Sequence, residues 1–130
     1  MPLARTIILA LCACIAAPSS MSEAAPSAAE LAKDRVAAAE RAFRSVATGH
    51  RAGRATAEAV YMWSVRWLEA ALETTPKAAK QTLADHLKRM TDLEAEVQKM
   101  AAAGIAGSLE TDAAAYYRIE AELWSARGKR

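Results

Sequence analysis

Cysteine is nearly absent: the 130-residue chain has 2, Cys12 and Cys14, and both fall within its first 24 positions. From residue 25 onward the chain can therefore form neither a disulfide framework nor a thiolate metal site. Histidine is equally scarce. His50 and His86 are far apart, neither has a Glu three residues before it, and no His-Glu-x-x-His occurs, so a carboxylate-bridged or zinc centre is not expected. There is no Gly-x-Ser-x-Gly elbow, phosphate-cradling glycine loop or dinucleotide fingerprint. Glu120 and Glu122 stand two apart on a helix and point to different faces, so they make no acid–base pair. The expectation is a non-enzyme with no catalytic, metal or cofactor residues.

Charge of one sign is also missing. Lys and Arg total 17 against 15 Asp and Glu, interspersed for a net +2, so nucleic acid is not an expected partner. The local cationic groups, His50, Arg51 and Arg54 and the C-terminal Arg127-Gly128-Lys129-Arg130, read as a solvated turn and tail. No apolar run reaches the roughly 20 residues that span a bilayer. Glycine (5) and proline (4) are few, which argues against a turn-rich β architecture.

What is present is alanine, the strongest helix former, in a chain of 53% apolar residues. The N-terminus has a secretory layout: Arg5, an apolar run from Thr6 to Ala17, then small and turn-forming residues. Residues 1–24 are thus predicted to be a signal peptide cleaved after Ala24, placing the chain in the periplasm or outside the cell. Leu11-Cys12-Ala13-Cys14 resembles a lipobox, which makes Cys14 a candidate lipidation site and an outer-membrane lipoprotein the alternative.

Residues 25–130 read as one all-α domain. Ser27 and Glu30 form a capping-box signature that opens a first helix, whose seam is Val36, Ala39, Phe43, Val46 and His50. Gly49 and Gly53 bracket a break. A second helix from about Thr56 to Thr74 carries two apolar stripes side by side, a face wide enough for two neighbours. Thr75-Pro76 predicts a tight turn with a Thr cap and proline at the first helical position. The third helix, to about Ala103, has Leu83, Leu87, Met90, Leu93, Val97 and Met100 in its seam. Asp85 with Arg89 and Glu96 with Lys99 are expected to pair on its wet side. Past Gly104 and Gly107, Ser108 can cap a last helix whose predicted apolar face is Leu109, Ala113, Tyr116, Ile119 and Leu123, ended by Gly128.

Shifting the chain against itself by 51 positions lays Val46 on Val97, Ala52-Gly53 on Ala103-Gly104, Glu69-Ala70 on Glu120-Ala121 and Leu72 on Leu123. Tandem helix-break-helix repeats over about 28–74 and 76–128 follow. They form either antiparallel hairpins in a coiled-coil-like four-helix arrangement or two long kinked helices, depending on whether Gly53 and Gly104 reverse the chain or bend it. The aromatics Tyr61, Trp63, Trp67, Tyr116, Tyr117 and Trp124 cluster in the second and fourth helices, as core or as a partner surface.

The stretch His50-Arg51-Ala52-Gly53-Arg54-Ala55-Thr56-Ala57-Glu58-Ala59-Val60, continued by Trp67-Leu68-Glu69-Ala70-Ala71-Leu72, resembles the helical repeat of the TolC-type outer-membrane efflux family. Ala103-Gly104 and Ile119-Glu120-Ala121-Glu122-Leu123 supply a weaker second copy. The family's members are far longer and close a membrane barrel. The chain has no alternating strand of the roughly ten residues that a barrel requires. The resemblance implies a periplasmic, coiled-coil-like body without the pore. Three functions follow as expectations: a non-enzymatic cell-envelope scaffold or interaction protein that binds a protein partner or itself through helices; a small periplasmic helical stress or metal-resistance binding protein; or an auxiliary component of an efflux transport assembly, reaching the membrane by a lipid anchor or an efflux partner.

Overall fold

A computed structural model describes residues 25–129; the predicted signal peptide, its cleavage point, Cys14 and Arg130 lie outside them. Four α-helices make up nearly all of this segment: α1 (Ala28–Arg51), α2 (Ala57–Thr74), α3 (Ala79–Ala102) and α4 (Ser108–Arg127). There is no strand among the described residues. The all-α reading holds.

Local chemistry sets the ends. At the start of α1 the Ser27 amide donates to Glu30 Oε2 at 2.7 Å and the Glu30 amide donates to Ser27 Oγ at 3.3 Å, the reciprocal box that the sequence predicts. The Ser27 amide also holds the Glu30 carboxyl below its ordinary value. Thr56 Oγ1 accepts from the Ala59 amide at 3.1 Å to open α2. Thr75 makes no such cap. Pro76–Ala78 instead form a single 3-10 turn, and α3 starts at Ala79, three residues later than the proline signal suggests. Nor does Ser108 cap α4: Gly107 occupies the cap, and its amide donates to Glu110 Oε2 at 3.2 Å.

Gly53 and Gly104 reverse the chain. Both lie in the left-handed region, at φ 68° and 73°, which a glycine enters without Cβ crowding. Gly49, by contrast, is inside α1, where a Cβ would sit 3.3 Å from that of Ala55. The helices therefore run up, down, up, down. Cross-hairpin contacts show the antiparallel order. Arg35 pairs with Glu73 and Phe43 packs on Trp67, while His86 stacks on Trp124 and Glu94 pairs with Arg118.

These four contacts relate the two hairpins residue for residue. Adding 51 to Arg35–Glu73 gives His86–Trp124, and adding it to Phe43–Trp67 gives Glu94–Arg118. The same shift carries α1 onto α3 end to end, and it carries the Arg54 amide bond to the Gly49 carbonyl (2.7 Å) onto that of Ile105 to Met100 (2.8 Å). The 51-residue periodicity seen in the sequence is the offset between two hairpins of one geometry.

Packing is centred on α2, which touches α1 on one side and α3 and α4 on the other. This is the use of its two stripes. The buried core includes Val60, Leu68 and Ala70 of α2, Leu83, Met90, Leu93 and Val97 of α3, and Ala114 and Ala121 of α4, with Ala39 from α1.

The face of α4 departs from expectation. Its predicted large apolar residues point outward, Leu109 being 81% exposed, Tyr116 60%, Ile119 47% and Leu123 45%, while Ala113 of the same predicted face is half-buried. The helix is seated instead on Ala114 and Ala121, small residues that let α4 lie close to α3. Arg118–Glu94, Trp124–His86 and the stack of Tyr117 on Tyr61 hold that orientation, and all three lie on the alanine side.

Candidate functional site

The six aromatics separate by location. Tyr61 and Tyr117 stack with centroids 4.1 Å apart, and the Tyr61 hydroxyl donates to Glu120. Burial first, and the Glu120 carboxylate second, push the Tyr61 hydroxyl well above its ordinary value. Trp67 meets Phe43 at 5.6 Å, and Trp124 stacks on His86 at 5.5 Å. Trp63 is half-buried beneath Arg66, whose guanidinium lies 4.7 Å from the ring centre. Tyr61, Trp67, Tyr117 and Trp124 thus join neighbouring helices, while the contact of Trp63 stays within α2. Tyr116 alone is mostly exposed, edge-on to Tyr117, with its hydroxyl donating to Glu120 at 3.3 Å.

Within the C-terminal tail Lys129 is not free. The Lys129 ammonium pairs with Glu69 and sits 4.8 Å over the Trp124 ring.

A buried polar network joins α2 to α3. Arg89 Nε donates to Ser64 Oγ at 2.7 Å, and Ser64 Oγ lies 2.8 Å from His86 Nδ1. Burial first, then the charges of Arg89 and Lys129, push the His86 imidazole down to about 3. A neutral ring accepts at Nδ1 from the Ser64 hydroxyl, which leaves the proton on Nε2, an atom without a partner. Burial likewise lowers the Arg89 guanidinium to about 10, and it lies 4.2 Å from the centre of the Trp67 ring. The expected Asp85–Arg89 pair is displaced because Arg89 turns inward to Ser64 and Trp67, while Asp85 accepts from Gln81. Ser64 beside His86 has the elements of a nucleophile and its base. Both side chains are fully buried, so no substrate reaches them in this packing.

Between α1 and α3, above Val60, runs a groove of about 380 Å³. Phe43 and Arg89 face each other at 5.4 Å across it, and His50 Nδ1 approaches Glu96 Oε1 at 3.4 Å. The latter pair replaces the expected Glu96–Lys99 contact. Neither of its two buried atoms has a hydrogen-bond partner. No group of three or more potential metal ligands occurs among the described residues.

Four of the exposed large apolar residues lie together on the outward face of α4. Leu109, Tyr116 and Leu123 recur every seven residues, with Asp112 and Ile119 interleaved, so one stripe runs the length of the helix. Ile105, 73% exposed in the preceding turn, lies just ahead of it. Their heptad spacing marks them as one face in the sequence, but that face is turned away from the core. Seating α4 by Ala121, the repeat partner of fully buried Ala70, turns the stripe outward. No helix among the described residues is long and apolar enough to cross a membrane. Compared with protein-family models, curated proteins and solved structures, the chain matches none, so its function has to be read from its own residues.

Proposed function

We propose that this chain is a non-enzymatic helical interaction protein of the cell envelope, acting as a scaffold through the outward face of α4. The observation that carries the reading is the exposure of Leu109, Tyr116, Ile119 and Leu123 on one stripe of a helix held in place by its opposite face. Soluble domains seldom leave a continuous apolar stripe in water, and a heptad-spaced one is shaped to receive another helix. The secretory layout of residues 1–24 and the resemblance to the helical repeat of TolC-type proteins support the envelope as the setting. They also bring in the narrower version, an accessory of an efflux assembly.

A second reading, a small periplasmic binding protein, is favoured by the α1–α3 groove, with its apolar floor and the unpartnered His50 and Glu96 atoms. The two readings part on where loss-of-function substitutions fall: on α4 for an interaction protein, on Arg89 or Glu96 for a ligand carrier.

The test is affinity capture from membranes in mild detergent with the tagged full chain and its Leu109→Lys/Leu123→Lys variant. Retention of specific envelope proteins should fall at least about tenfold in the variant, the effect of about 1.4 kcal/mol of lost contact. Helicity by circular dichroism should be unchanged. Equal capture by both proteins would remove α4 as the working surface.

A further inference from the structure

We infer that the occupant of the α4 stripe is the α4 stripe of a second copy of this chain, in an antiparallel pair with its two-fold axis near Ile119; this rests on the reading of α4 as an interaction surface. Three observations lead there.

The first is the internal repeat. Moving α4 back by 51 positions places Tyr116 on Val65, Ile119 on Leu68, Leu123 on Leu72 and Asp112 on Tyr61. That side of α2 is covered at its centre, where Leu68 has no exposure and Tyr61 stacks on Tyr117 of the second hairpin, while Val65 and Leu72 are half-buried. The same face is therefore more deeply covered in the first hairpin than in the second, where Tyr116, Ile119 and Leu123 are all exposed.

The second is the choice of filler. Continuing the array head to tail would bring α1 of the next copy onto α4, because α1 is the equivalent of α3. The α3 residues His86, Met90 and Leu93, on the side that meets α2, correspond to Arg35, Ala39 and Ala42 on α1. Arg35 is already paired with Glu73, and alanine offers little to bury. The exposed large apolar residues among those described fall mainly on α4 and the turn before it, with Leu31 and Met62 standing apart. The stripe is its own best complement. A two-fold contact also closes on itself, whereas a head-to-tail one grows into filaments.

The third is charge. Asp112 is the one carboxylate in the middle of the stripe, and Arg127 lies at its C-terminal end. Both are exposed, and neither joins an ion pair within the described residues. A parallel pair would set Asp112 against Asp112 inside the seam, which is repulsive. An antiparallel pair about Ile119 puts Ile119 opposite itself, sets Tyr116 within one position of Leu123, and brings Asp112 opposite Ala126, one position from Arg127, whose long side chain can reach it.

The experiment is sedimentation velocity with light scattering on the full chain from about 1 µM to about 1 mM, the range of weak to moderate association. The expected result is a monomer–dimer equilibrium that Ile119→Lys shifts to monomer with unchanged helicity. Asp112→Arg and Arg127→Asp should each weaken the dimer, and the two together should restore it, since the reversed pair keeps the register. A monomer throughout the range, a dimer indifferent to Ile119→Lys, growth into higher species, or failure of the charge reversal to rescue would each overturn the pairing. A monomer that still captures envelope proteins through α4 would overturn the pairing alone. Loss of both would remove the interaction reading with it.

Discussion

Leu68→Ala is expected to lower the unfolding free energy by about 2–5 kcal/mol, while Leu109→Ala leaves it within about 0.5 kcal/mol. The two leucines are chemically identical and both lie on the apolar positions of their helices. Leu68 has no exposed surface and packs in the centre of α2, the helix on which the others assemble; Leu109 is 81% exposed on α4. Removing the first leaves a cavity that rigid neighbours cannot fill, whereas removing the second takes away surface already in water. Thermal melts at low protein concentration should separate the two by on the order of 10 °C for a domain of this size. Similar losses for both would mean that α4 is seated by its leucines after all.

Acid should weaken the fold well before most carboxylates titrate. In the unfolded chain His86 ionises near its ordinary value of 6.5, and in the fold it is held to about 3. The fold thus favours the neutral ring. Its contribution is fully present above pH 6.5 and is lost as pH falls from there towards 3, with a limiting slope of about 1.4 kcal/mol per pH unit. By pH 5 the loss is about 2 kcal/mol. The physical cause is the sealed site: a proton on His86 would put a cation beside Arg89 and Lys129 against the Trp124 ring, with no carboxylate bonded to it. Urea unfolding of wild type and His86→Gln at pH 7.5 and pH 5 checks this. Glutamine keeps an acceptor for the Ser64 hydroxyl and cannot charge, so the difference between the two pH values should flatten. A pH difference that persists unchanged in His86→Gln would contradict the assignment.

Much of this architecture is legible from spacing. The Ser27–Glu30 box, the seams of α1 and α3 and the doubled stripe of α2 follow from local rules that bonded neighbours enforce, whereas Gly53 and Gly104 mark breaks whose reversal of the chain is fixed by the packing of the helices on either side. Nor does the face of α4 follow from local rules, because a heptad of Leu, Tyr and Ile reads alike whether it meets a core or another chain. What decides the matter is the partner side, where Ala114 and Ala121 allow a close approach that no side-chain hydropathy announces. The repeat held the signal: Ala121 falls on Ala70, which the wide face of α2 must bury. The Ser64–His86–Arg89 network joins residues more than twenty positions apart, so its spacing carries no trace in the sequence. Arg89 also has a ready local partner in Asp85, and only the packing of α2 on α3 shows that it turns the other way.

Thiol reactivity tests whether α4 rests on its alanines and presents its large apolar residues to solvent. With Cys12 and Cys14 replaced by serine, Leu109→Cys and Ala121→Cys each carry a single thiol. In dilute native protein the thiol of Leu109→Cys should react at close to the rate of the unfolded chain. That of Ala121→Cys should react at least about a hundredfold more slowly, because it must wait for an opening of the core. Equal rates, or the reverse order, would contradict the seating of α4 from which the proposed interaction surface follows.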